Sequence, residues 1–88
     1  MDEKLSESEL QNRLERATSA IQVGGRYRHY KGNLYEVVEV ALIEATNEPA
    51  VIYKALYGKG IQFIRPISDW LMMVDWQGES VRRFELTD

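Results

Sequence analysis

The sequence predicts a mainly β, antiparallel fold preceded by one α-helix, and three observations carry that prediction. A capped amphipathic stretch opens the chain, Gly24-Gly25 ends it, and from Arg26 onward β-branched and aromatic residues recur between short turns. The boundary divides the 88 residues into an N-terminal helical extension, 1–22, and a small β-domain, 23–88.

The helix is expected over residues 5–21. Ser6 stands where a cap belongs, Glu9 follows three residues later as the other half of a capping box, and Leu5 and Leu10 occupy the hydrophobic-staple positions. Leu10, Leu14, Ala17 and Ile21 recur at helical spacing and form one narrow apolar stripe, with Glu7, Arg13, Glu15 and Arg16 towards water. A stripe of that kind packs on the body of its own domain or forms a dimer seam or docking helix, and both readings stand.

Strands are expected near 26–31, 34–45, 50–57, 61–66, 73–76 and 81–86. The turns between them fall at Gly32-Asn33, Thr46-Asn47-Glu48-Pro49, Gly58-Lys59-Gly60 and Gln77-Gly78-Glu79-Ser80, and connections this short imply an antiparallel meander. Pro66, which lacks a donor N–H, closes its strand, and residues 67–71 read as one helical turn.

Two hairpin registers follow. A two-residue loop at Gly32-Asn33 pairs Lys31 with Leu34, His29 with Glu36 and Arg26 with Glu39. It puts Tyr27, Leu34, Val38 and Val40 on the apolar face and leaves Arg28, Tyr30, Tyr35 and Val37 on the other. A three-residue loop at Gly58-Lys59-Gly60 pairs Tyr57 with Ile61, Ala55 with Phe63 and Tyr53 with Arg65, so that Tyr53, Tyr57, Phe63 and Arg65 share a face.

Composition narrows the chemistry. With 44% apolar and 28% charged residues the chain reads as an ordinary globular domain, and without cysteine it has no disulfide, thiolate nucleophile or cysteine-ligated zinc. No apolar run approaches a bilayer span, and Met1-Asp2-Glu3-Lys4 leads into a polar helix rather than a signal segment. Cytoplasmic residence, with no membrane partner, is the expectation.

The net charge of −3 argues against indiscriminate nucleic-acid binding, although the run Arg26-Tyr27-Arg28-His29-Tyr30-Lys31-Gly32 is locally basic and aromatic. Arginine and lysine supply charge for a phosphate or carboxylate, and tyrosine supplies a flat face with a polar tip.

Catalysis finds little support. His29 is the only histidine, neither Ser68 nor Ser80 is recognisably placed beside it, and the carboxylates are dispersed rather than gathered at metal-ligand spacing. Glu36, Glu39 and Glu44 include candidate bases, but carboxylates on strands are more often solvated or paired. The Gly58-Lys59-Gly60 loop lacks the spacing of a phosphate loop and the helix that would follow one. No cofactor and no metal are expected. Trp70, beneath the helical turn, reads as core; Trp76, before the last turn, sits on either a rim or the interior.

The series Tyr27-Arg28-His29-Tyr30-Lys31-Gly32, Tyr35-Glu36-Val37, Val51, Tyr53, Leu56-Tyr57-Gly58, Arg65-Pro66 and Arg83-Phe84 resembles a bacterial family known as domain of unknown function 1653, from about Gly25 to Leu86. The resemblance implies a compact cytoplasmic domain shaped as a Src-homology-3-like small barrel, with no established activity. Two departures stand out: Arg82-Arg83-Phe84 replaces the usual Pro-Arg-Phe, and Trp70 replaces a customary Phe.

The reading that results is a non-catalytic binding or interaction module. Its ligand site is expected at Arg28, Tyr30, Tyr35, Tyr53, Tyr57 and Arg65, for a small anionic or aromatic ligand or a peptide. Single-stranded nucleic acid stacked on Tyr30 and Tyr35 is an alternative, as are a homodimeric accessory protein joined through the N-terminal helix and a small enzyme of unstated reaction.

Overall fold

The computed structural model describes residues 5–87, so the reading of Met1 to Lys4 lies outside the described residues. Helix α1 spans Glu7–Ala20, and its start is the capping box the sequence encodes: Ser6 Oγ accepts from Glu9 N–H while Glu9 Oε1 accepts from Ser6 N–H. Ile21 leaves the helix in an extended conformation, and Gly24, at φ +85°, turns the chain into the first strand. Of the apolar stripe, Ala17 and Ile21 belong to the core cluster and Leu14 packs against it, while Leu10 is half-buried.

Seven strands follow: β1 Arg26–His29, β2 Leu34–Ile43, β3 Glu48–Ala55, β4 Gln62–Pro66, β5 Met73–Trp76, β6 Glu79–Arg82 and β7 Phe84–Leu86, with the one-turn helix α2, Ile67–Trp70, between β4 and β5. Five of them form an antiparallel sheet in the order β4-β3-β2-β1-β7, and β5-β6 is a separate hairpin. The mainly β, antiparallel prediction with a leading helix therefore stands. Hydrogen bonds do not close a barrel: among the described residues β4 and β7 are free edges.

Both hairpin registers differ from the sequence expectation, with different consequences. In the first, Arg26 pairs with Glu36, Tyr27 with Tyr35 and Arg28 with Leu34. The loop is longer than two residues because His29 N–H closes it on Asn33 O at 2.8 Å, while Tyr30 N–H leaves the ladder for Arg83 O at 3.0 Å. The displacement is three residues. An odd slip exchanges faces, so Tyr35 and Val37 turn inward and the expected His29–Glu36 and Arg26–Glu39 pairs do not form. A bulge between Val37 and Glu39 then reverses the alternation, burying Val40 as well as Val37 and leaving Val38 exposed.

In the second hairpin Tyr53 pairs with Phe63 and Val51 with Arg65, a slip of two residues from the expected register. An even slip preserves faces, and Tyr53, Phe63 and Arg65 remain together. The expected 81–86 strand is divided at Arg83, where the chain passes from the hairpin to the main sheet. The final turn needs only Gln77 and Gly78, both with positive φ, 53° and 85°, as a two-residue hairpin loop requires.

The core face of the sheet holds Tyr27, Val37, Val40, Val51, Tyr53 and Phe84, with Trp70 packed onto it from α2. Pro66 ends β4 and caps α2, which aims Trp70 at the core, 2% exposed.

Candidate functional site

The six residues expected to form one site are divided between two places. Tyr35, Tyr53, Tyr57 and Arg65 come together as one cluster. The Tyr35 and Tyr57 hydroxyls are 2.8 Å apart, the Tyr35 and Tyr53 rings meet edge to face at 5.3 Å, and Arg65 Nε donates to Tyr53 Oη at 3.3 Å. Arg65 is also ion-paired to Asp69 four residues on, and its guanidinium lies 5.5 Å from the centre of the Phe84 ring. Its Nε and Nη1 are thus engaged within the chain. Burial, and then the hydrogen bond to Tyr57, pushes the Tyr35 phenol up to about 12.

Arg28 and Tyr30 lie elsewhere, on a groove of about 430 Å³ between the β1-β7 side of the sheet and the β5-β6 hairpin. One wall carries Arg28, His29, Tyr30 and Glu85, and the other carries Met73, Trp76, Ser80, Val81 and Arg82. Tyr30 and Trp76 meet across it edge to face, ring centroids 5.1 Å apart, and Lys31 Nζ sits 5.8 Å from the Tyr30 ring centre. Trp76 is 37% exposed and Met73 52%. Arg28 and Glu85 are register partners across β1 and β7, Arg82 is the register partner of Met73 in the hairpin, and both arginines and Glu85 line the groove.

His29 stands at the inner end of this region, its ring 5.1 Å from Phe84 and 4.4 Å from Tyr30. Its Nδ1 accepts Lys31 N–H at 3.1 Å, which holds the neutral tautomer with the proton on Nε2. Burial first, then the positive charges of Arg65, Arg83 and Lys31, lowers its pKa below the usual histidine range. Ser80 shares the groove, but among the described residues no hydrogen bond joins it to His29. Nor do those residues gather three or more acidic or histidine side chains as a metal site.

Sequence reasoning found Trp76 and Arg82 as individual residues without joining them to Arg28 and Tyr30. The connection is made by Arg83, whose N–H bonds to Met72 O and whose C=O accepts from Tyr30, so that one residue sets the hairpin against the β1-β2 loop. Nothing local in the sequence signals that contact.

Fold and groove together define a small, mainly antiparallel β protein with a packed N-terminal helix. A family model described as a protein of unknown function, DUF1653, matches residues 25–86, and the chain belongs to that family. A crystal structure of a protein belonging to DUF1653 from Bordetella bronchiseptica is similar at TM-score 0.64 and 33% identity, covering 70% of this chain and 82% of that one. No curated protein matches at a significant level.

Proposed function

We propose that the chain is a non-catalytic cytoplasmic binding module whose ligand is a small aromatic molecule with an anionic group, held in the groove between β1-β7 and the β5-β6 hairpin. The observation that carries this reading is the ring pair of half-buried Tyr30 and exposed Trp76, set among Arg28, Arg82 and Glu85. A flat ligand stacks on the exposed indole while its anion meets Arg82, and Met73 supplies an adaptable apolar floor. Tyr35, Tyr53, Tyr57 and Arg65 act in this reading as the scaffold behind the groove, because their polar groups already pair with one another. The strand order, with first and last strands adjacent and a helical turn after β4, supports a Src-homology-3-like small barrel as the finer description.

The test is a titration of the isotope-labelled chain with phenyl phosphate and benzoate, with benzyl alcohol as the uncharged control. Saturable amide shifts centred on Arg28, Tyr30, Trp76 and Arg82, weakened at least tenfold in Trp76→Ala and in Arg82→Gln, are expected. Absence of saturable shifts with both anions at millimolar concentration refutes the reading. Single-stranded nucleic acid is the second reading, since the same ring pair and arginines suit one base and one phosphate; salt-sensitive shifts with oligonucleotides but none with the small anions would favour it.

A further inference from the structure

The two edges of the main sheet are not alike. Strand β7 is three residues long and carries Glu85, whereas β4 presents Gln62, Phe63 and Ile64 in sequence with no charge among them; its one charge, Arg65, is bonded within the chain to Tyr53 and Asp69, and Pro66 closes its end. Short length and charge are the usual ways an edge is kept from pairing with another strand. Ile64 is 68% exposed and Phe63 41%.

The hydrogen-bond phase of that edge follows from the register. Ala55 N–H donates to Ile61 O at 2.9 Å, so Ala55–Ile61 is a hydrogen-bonded pair, and alternation makes Tyr53–Phe63 and Val51–Arg65 the next two. The N–H and C=O of Gln62 and Ile64 therefore point away from β3, towards the open side.

We propose that β4 is a self-association edge, pairing antiparallel with β4 of a second copy about a two-fold axis at Phe63. In that register Gln62 of each copy lies opposite Ile64 of the other, and the two pairs exchange both of their backbone hydrogen bonds. Phe63 meets Phe63 at the centre as a non-hydrogen-bonded pair, where cross-strand side chains approach most closely. Arg65 faces Ile61, so no charge meets its own copy. A register centred on Ile64 would set Pro66, which has no N–H, opposite Gln62 and forfeit donors. The edge is thus complementary to itself in hydrogen bonding, charge and apolar surface, which selects a second copy of this chain as occupant. The two five-stranded sheets become one continuous sheet. The seam is only five residues long, so the dimer forms reversibly at high protein concentration.

Sedimentation of the full chain from micromolar to millimolar concentration tests the proposal, and a monomer-to-dimer transition is expected. Gln62→Pro removes an outward N–H without touching the ladder to β3, and Ile64→Lys places a charge on exposed surface; each should shift the transition at least tenfold higher while leaving the melting temperature near that of the parent. Phe63→Cys, in a chain with no other cysteine, should oxidise to a disulfide dimer, because the opposed Cα atoms lie about 4.5 Å apart in this register. Ile61→Cys, opposite Arg65 rather than itself, should not. A monomer throughout, a dimer that survives both edge substitutions, or a dimer in which the cysteine at 63 fails to cross-link overturns the proposal; an edge reserved for peptides of other proteins would give the first result.

Discussion

Trp70 and Phe84 lie ring on ring, their centroids 3.7 Å apart and their planes within 4° of parallel. The stack joins the helical turn after β4 to β7, so the two edges of an open sheet are held by side chains rather than by backbone hydrogen bonds. Tyr27, Tyr53 and His29 then meet this pair edge on, Tyr27 against Trp70, His29 against Phe84 and Tyr53 against both.

Trp70→Ala should accordingly cost about 3–5 kcal/mol, the range for emptying a buried large aromatic site. For a domain whose total stability is about 5–15 kcal/mol, that is a large share. Urea unfolding followed by circular dichroism measures it, and a loss below about 1 kcal/mol would show that the stack does not hold the two edges.

Tyr35 should hold its proton well above pH 10, with a midpoint at about 12. The raised pKa means its contribution to stability is complete below pH 10, the unfolded value, and is lost as pH rises towards 12. Tyr57→Phe removes the partner hydroxyl and should bring the midpoint back towards 10, leaving the share due to burial. Carbon-labelled tyrosine NMR across that pH range reads the Tyr35 midpoint in the parent and in the variant.

For His29 the sign is opposite. Its folded pKa lies below the unfolded value of 6.5, so the unfolded chain takes up the proton first and stability falls as pH drops below 6.5. His29→Asn should remove that slope, read as the change in urea midpoint between neutral and mildly acidic pH. A His29 imidazole titrating above 6.5 by NMR would contradict the expected direction.

Ser6→Ala should destabilise the protein by about 1 kcal/mol through loss of the cap to Glu9 N–H. Amide exchange should then quicken in the first turn of α1 before it changes in the sheet. Uniform exchange across the chain would mean that α1 and the sheet open as one unit.

The elements that sequence reasoning placed well are those governed by neighbours in the chain. Ser6 and Glu9 cap, Pro66 stops a strand, and Gln77-Gly78 turns a hairpin for reasons contained within a few residues. The errors arose where a distant partner decided the outcome. Arg83 draws Tyr30 out of the first hairpin, and that one contact lengthens the loop, shifts the register by an odd number and sets Tyr35 rather than Val38 against the core. The candidate site divided for the same cause: Arg28 and Tyr30 could be joined to Trp76 and Arg82 only through a sheet-to-hairpin contact with no local signature.

The β5-β6 hairpin pairs with no strand of the main sheet, and Arg83 is the point from which it departs. It is joined to the rest of the fold through its base at Arg83 and through the Trp76 ring on Tyr30. No ladder hydrogen bond runs from it to the five-stranded sheet, so a change of residue at its tip leaves that ladder intact.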